Sequence, residues 1–164
     1  MYLSRIAAAV ALCGLLAHTA HAAPADQAKP ADPESIERGH YLVKITGCND
    51  CHTAGYTQTD GQTPEKDWLT GDLLGWQGPW GTTYASNLRL YMQEITEDQW
   101  VGIAHNARFR PPMPWYSLHA MSETDLRAIY RFIHSLGPAG TLAPTYLPPG
   151  QVPQGPRVTF PEPQ

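Results

Sequence analysis

A small all-α domain with long loops is the fold class this sequence predicts. Three stretches carry helix caps followed by apolar residues at helical spacing, no stretch alternates convincingly with period two, and Gly- and Trp-rich segments separate them. The chain has 164 residues, 42% hydrophobic and 16% charged, a balance that fits one globular domain and excludes a coiled coil or a charge-rich disordered polymer. Its formal net charge of -4 argues against nucleic acid as a partner, because phosphate contacts need a basic surface.

The N-terminal element is expected to be removed. Arg5 gives a short basic start, residues 6–17 form an apolar run of 12, and Ala20-His21-Ala22 places small residues where a signal peptidase reads. A run of 12 falls short of the ~20 residues that cross a bilayer, so residues 1–22 read as a secretory signal peptide and no integral membrane segment is expected in the mature chain. Of three cysteines, Cys13 leaves with the signal while Cys48 and Cys51 remain. Residues 23–31 are small, polar and proline-broken, and read as a flexible leader.

The first helix is expected from Asp32, whose carboxylate can cap free amides while Pro33 sits in the first turn. Ile36, Gly39, Tyr41, Leu42, Val43 and Ile45 give its apolar face before Gly47 breaks the pattern. Thr96 with Gln99 predicts a capping box that opens a helix through Trp100, Val101 and Ile103 towards Ala107. Ser122 with Asp125 caps the last helix, where Leu126, Ile129, Tyr130 and Ile133 recur at i, i+3, i+4 and i+7 before Gly137-Pro138. These elements place one domain at residues 32–137. Residues 138–164 follow as a proline-rich tail: from Gly137 onward there are eight prolines in 28 residues, which favours an extended polyproline-like conformation over a packed element.

Residues 53–95 must be held in place without a sheet or a disulfide, so something else has to fill the middle of the domain. Cys48-Asn49-Asp50-Cys51-His52 supplies it, because C-x-x-C-H is the pattern of c-type haem attachment. Two thiols two positions apart can add to the two vinyl groups of the porphyrin, and the adjacent imidazole of His52 then reaches the iron from one face. One covalently held haem c becomes the core around which the loops pack. Three competing uses explain less. A thiol oxidoreductase sets its nucleophile at a helix N-terminus, where the dipole lowers the thiol pKa, whereas here the helix is expected to precede the cysteines. A structural zinc site wants a second cysteine pair or a spaced histidine pair. A disulfide between Cys48 and Cys51 leaves His52 without a role.

The sixth position on the iron needs a partner from far along the chain, and the soft thioether of methionine suits low-spin iron and raises its potential. Met113 is the candidate, because Arg110-Pro111-Pro112-Met113-Pro114-Trp115 is a stiff, non-helical loop that presents one side chain without sampling many conformations. Met92 and Met121 read as core filler and His105 as the alternative ligand, while His40, His119 and His134 are expected on helix surfaces or near helix ends. The tryptophans between Trp68 and Trp115, with Tyr84 and Tyr91, either wall the haem and donate to its propionates or simply anchor loops. Arg108 and Arg110 either neutralise a propionate, form a docking patch, or are solvated loop charges.

On these residues the chain resembles the class I c-type cytochromes, over about residues 36–136. The match is carried by Gly39 and Tyr41 on the first helix, Cys48-Asn49-Asp50-Cys51-His52, Met113 in its proline loop, and the last helix with Leu126, Ile129 and Tyr130. The resemblance implies a small class I fold in which the first and last helices cross near the haem edge, a glycine allowing close approach to an aromatic residue; Gly39 and Tyr130 are the counterparts it points to. More narrowly, Gly78-Pro79-Trp80-Gly81-Thr82-Thr83-Tyr84-Ala85-Ser86-Asn87 and Met113-Pro114-Trp115-Tyr116 are similar to haem domains of cytochrome subunits serving periplasm-facing dehydrogenases of alcohols, aldehydes and sugar acids. Those subunits usually carry several haem motifs and a membrane anchor. One motif and no anchor here imply a stand-alone monohaem carrier in the periplasm. It would shuttle single electrons between a dehydrogenase-type donor and a respiratory acceptor, an oxidase or another cytochrome. A haem enzyme or gas sensor would instead need an open or labile iron site.

Overall fold

The computed structural model describes residues 32–161; the expected signal peptide 1–22 with Cys13, and the leader 23–31, lie outside the described residues. Helix α1 spans Pro33–Ile45. Asp32 occupies the N-cap, but its side chain makes no capping hydrogen bond, so the expected carboxylate cap is corrected. The start rests instead on the preset φ of Pro33 and on the Ile36 N–H donating to the Asp32 carbonyl at 3.1 Å. At the other end Thr46 donates both its N–H and its hydroxyl to the Leu42 carbonyl. Gly47, at φ +74°, then turns the chain into a separate one-turn helix α2, Cys48–His52.

Helix α6, Glu123–Ser135, opens on the expected Ser122 cap, whose hydroxyl accepts the Asp125 N–H at 3.1 Å. Its buried residues are Leu126, Ala128, Ile129, Phe132 and Ile133, each large side chain contributing about 1.5–3 kcal/mol, and the helix packs on α1, on α3 (Leu88–Glu94) and on α4 (Glu97–Asn106). Helices α1 and α6 cross at Gly39. A methyl group there would stand 2.0 Å from the Ala128 carbonyl oxygen and 2.7 Å from Phe132 Cβ. The aromatic neighbour at this crossing is therefore Phe132 and not Tyr130, which corrects the expected pair. Tyr130 sits one face round the helix, donating its hydroxyl to the Ile95 carbonyl at 2.8 Å and stacking on His134.

Helix α4, Glu97–Asn106, forms the full capping box: Thr96 Oγ1 accepts the Gln99 N–H at 3.2 Å, and Gln99 Oε1 accepts the Thr96 N–H at 2.8 Å. It docks on α6 through Trp100, whose indole N–H donates to the Leu126 carbonyl at 2.8 Å, and through Glu97, bridged to Arg127 and Arg131 at 3.0 and 2.8 Å. Helices α3, Leu88–Glu94, and α5, Trp115–Ala120, complete the helical shell.

The regular structure of the described residues is mostly helical, as expected, with one small sheet that the sequence did not reveal. Strand β1, Gly75–Gly78, pairs antiparallel with β2, Gly81–Tyr84, and parallel with β3, Arg157–Thr159, in the order β2-β1-β3. Strands of three and four residues are too short to display alternation, and Gly75, Gly78 and Gly81 dilute what remains. The proline-rich segment is packed rather than dangling. Asn87 Nδ2 donates to the carbonyls of Ala139 and Thr141, Thr82 and Leu147 exchange backbone hydrogen bonds at 2.8 and 3.0 Å, and Pro153 is buried.

The stretch 53–95 is held by buried Trp68, Leu69 and Met92, by the β1–β2 hairpin, and by polar side chains. Thr53 is 1% exposed; its hydroxyl donates to Asn49 Oδ1 and accepts the Leu69 N–H, both at 2.7 Å. Asn87 caps α3 by accepting the Leu90 N–H at 3.0 Å. Arg89, 6% exposed, donates to the carbonyls of Lys66 and, at the C-terminal end of α6, of Leu136 and Gly137. A cation there complements the negative end of the helix dipole.

Candidate functional site

Helix α2, strand β2, the 109–114 loop and α6 enclose a cavity of about 400 Å³. Cys48, Cys51, His52 and Met113 all stand on its wall, together with the apolar side chains of Leu88, Trp100, Phe109, Leu118, Ile129 and Ile133. The structure thus brings to one cavity the C-x-x-C-H turn and a methionine some sixty residues away.

His52 is 8% exposed, and its Nδ1 lies 2.7 Å from the Ser86 carbonyl oxygen. A carbonyl only accepts, so Nδ1 carries the proton and Nε2 keeps its lone pair for a metal. Burial pushes the imidazole pKa down, against an opposing pull from that hydrogen bond, and holds the ring neutral as a ligand must be. The Gly71 N–H donates to the His52 carbonyl at 2.8 Å, pinning the backbone as well.

Cys48 and Cys51 stand at i and i+3 on the single turn of α2, and neither is in a disulfide. A helix does precede them, as expected, α1 ending at Ile45, but the cysteines also open a short helix of their own. Even so, the thiols are not activated. Burial, first, pushes both pKa values up; for Cys51 the nearby Asp50 and Asp72 carboxylates add to it. Among the described residues no group of three or more His, Cys, Asp and Glu side chains gathers as a metal cluster, so a zinc site finds no ligand set there.

Met113 is half-buried, in a loop stiffened by Pro111, Pro112 and Pro114. Its N–H donates to the Arg110 carbonyl at 3.3 Å, and the Thr83 hydroxyl of β2 donates to the Pro111 carbonyl at 2.7 Å. Met92 is fully buried in the core, whereas Met121 reaches the cavity wall. His105 is turned elsewhere: Nε2 donates to the Met121 carbonyl at 3.1 Å. His119 donates to the Ala107 carbonyl at 2.9 Å. His40 stacks on Trp68 with ring centroids 5.3 Å apart and contacts Glu65. The indole N–H groups of Trp68, Trp80 and Trp100 donate to the carbonyls of Thr63, Trp76 and Leu126, so these three anchor loops and helices rather than offering donors to a ligand. Trp76 and Trp100 do wall the cavity. Arg108 lies over Trp115, and Arg110 lies on the cavity wall over Tyr146.

Sequence reasoning missed Ser86, Thr83, Asn87 and Arg89. Ser86 acts through a backbone carbonyl, which no side-chain pattern reveals. The polar residues Thr83, Asn87 and Arg89 act through partners 23 to 54 residues away.

The paired thiols, an imidazole with a free Nε2 and an apolar cavity fit a covalently held haem, which defines a haem-binding electron-transfer domain. The family model for cytochrome c matches residues 36–137. The chain belongs to the cytochrome c family, and it is accordingly an electron carrier whose cofactor is covalently bound haem c with its iron. Among curated proteins it is 29% identical to the cytochrome c subunit of a quinone alcohol dehydrogenase from Gluconobacter oxydans (strain 621H), over 82% of this chain and 27% of that subunit. It is 29% identical to the fructose dehydrogenase cytochrome subunit of Gluconobacter japonicus, over 65% of this chain and 24% of that one. The alcohol dehydrogenase cytochrome c subunit of Gluconacetobacter polyoxogenes is 28% identical over 82% of this chain. The chain thus spans about a quarter of the length of these relatives. No solved structure matches it. No helix among the described residues is long and apolar enough to cross a membrane.

Proposed function

We propose that the chain is a monohaem c-type cytochrome of the periplasm, exported by a cleaved signal peptide (1–22) with a short leader (23–31). In this reading residues 32–137 form the haem domain and 138–164 a proline-rich extension. Cys48 and Cys51 would hold one haem, and His52 and Met113 would be the ligands of its iron. It carries single electrons from a dehydrogenase-type donor to a respiratory acceptor, an oxidase or another cytochrome. The observation that carries this reading is the convergence of Cys48, Cys51, His52 and Met113 on one apolar cavity.

Bound there, the haem supplies a one-electron ferrous–ferric couple. The chain's own residues limit what must move. Cys48 and Cys51 would hold the group through their two sulfurs, on the wall of the cavity. The Ser86 carbonyl fixes the His52 ring. Prolines on both sides of Met113 restrict its loop, and the apolar wall excludes water, so little rearrangement accompanies electron transfer. Partners would dock through a small transient interface tuned by complementary charge. The relatives serve alcohol and fructose dehydrogenases, which makes a dehydrogenase the first donor to test.

The test is to purify the protein from its own periplasm and identify what reduces it. A dehydrogenase that reduces the cytochrome on addition of its substrate, followed by reoxidation by a respiratory acceptor, is the expected result. A protein that no periplasmic donor reduces, or that turns over a small molecule at its iron, contradicts the reading.

A further inference from the structure

We propose that the segment 138–161 is a positioning strap for the methionine loop, acting through Tyr146, and that it limits how readily an outside ligand displaces Met113. The proposal rests on Met113 as the sixth ligand. The two residues leading into that loop are gripped from two sides. The Arg110 guanidinium lies 3.8 Å from the centroid of the Tyr146 ring, and Thr83 on β2 donates its hydroxyl to the Pro111 carbonyl at 2.7 Å. Tyr146 is itself anchored, because its hydroxyl donates to the Trp80 carbonyl at 2.8 Å and the next residue, Leu147, exchanges two backbone hydrogen bonds with Thr82. Both grips therefore hang from the same hairpin, β1–β2.

The strap is also part of the container. Pro144 and Tyr146 stand on the cavity wall beside Arg110, Pro112 and Met113. Its approach is built in at Gly81, which has φ +97°, and where a methyl group would stand 2.2 Å from the Leu147 carbonyl oxygen. The family match ends at residue 137, so this clamp is contributed by chain that lies outside it. Losing the grip on Arg110 leaves the prolines in place but frees the loop to swing, and a loop that swings yields its thioether to competitors.

The experiment uses the full-length holoprotein with Tyr146→Ala, Tyr146→Phe and Arg110→Gln. Two readouts are followed: the weak sulfur-to-iron charge-transfer band of the ferric protein, and the rate of carbon monoxide binding to the ferrous protein. Tyr146→Ala is expected to speed carbon monoxide binding about fivefold, the scale of a cation–π contact at an exposed side chain, and to weaken the band. Tyr146→Phe keeps the ring over Arg110 and should stay within about twofold of the parent. Arg110→Gln, a change at an exposed side chain, should follow Tyr146→Ala and decides the matter if the alanine variant fails to fold. If the parent shows the band while Tyr146→Ala and Arg110→Gln bind carbon monoxide at the parent rate, the strap proposal fails alone. A parent without the band that binds carbon monoxide at once overturns Met113 ligation and the strap together.

Discussion

The Nδ1–H of His52 donates to the carbonyl of Ser86 at 2.7 Å, joining positions 34 residues apart. It ties the short helix carrying the cysteines to the turn between β2 and α3, and it does so with the one ring nitrogen that metal binding leaves over. Orientation of the ring is thus set by the protein before any ligand is considered.

Met113→Ala should leave the haem attached to Cys48 and Cys51 while lowering the reduction potential by on the order of 0.1 V, because axial ligation sets potentials over a range of ~0.8 V. A redox titration beside an intact-protein mass checks this. An unchanged potential rules out Met113 as ligand.

The α1–α6 crossing predicts a cost for Gly39→Ala. The new methyl group would meet the Ala128 carbonyl oxygen at 2.0 Å, backbone that cannot rotate away, so helix separation is forced. A loss of about 1–3 kcal/mol in a denaturant titration is expected, the usual range for overpacking. A variant as stable as the parent would mean the helices do not cross at this residue.

Arg89→Met should cost about 2–3 kcal/mol. The buried guanidinium is the hydrogen-bond partner of the Lys66, Leu136 and Gly137 carbonyls, and a thioether satisfies none of them. Thermal melts of the two proteins compare them directly; equal melting temperatures would contradict the role assigned to Arg89.

Legibility of the fold followed the range of the interactions. The Thr96–Gln99 and Ser122–Asp125 caps are local, so both helices could be read, almost to their ends, from the letters alone. The C-x-x-C-H turn is contiguous, and Met113 was marked by its prolines. Strand β3 escaped because Val158 pairs with Trp76, far back in the chain, and three residues carry no periodicity. Helix α3 escaped because its Asn87 cap sits at the end of a long loop. Asp32 looked like a cap by composition, yet its side chain makes no such bond. The close approach at Gly39 is legible in the chain, but its partner depends on the helical phase of α6, which makes it Phe132 and not the expected Tyr130.

Acid should weaken the α4–α6 seam. Burial acts to raise the Glu97 carboxyl pKa, but hydrogen bonds from Arg131 and Arg127 outweigh it and hold the group below the usual carboxylate range. The unfolded chain then takes up a proton at Glu97 near pH ~4, before the folded protein does, so stability falls as pH drops through that window. Stability measured by denaturant between about pH 5 and pH 3 should decline less steeply in Glu97→Gln than in the parent. Identical slopes would contradict the assignment.

The optical spectrum of the ferric holoprotein, followed by reduction under carbon monoxide, tests the central claim most directly. Ligation by His52 and Met113 predicts a weak sulfur-to-iron charge-transfer band at the red end of the visible range and a ferrous form that resists carbon monoxide. A ferric spectrum without that band, with rapid carbon monoxide binding on reduction, would show an open iron site and contradict the carrier that Cys48, Cys51, His52 and Met113 are proposed to build.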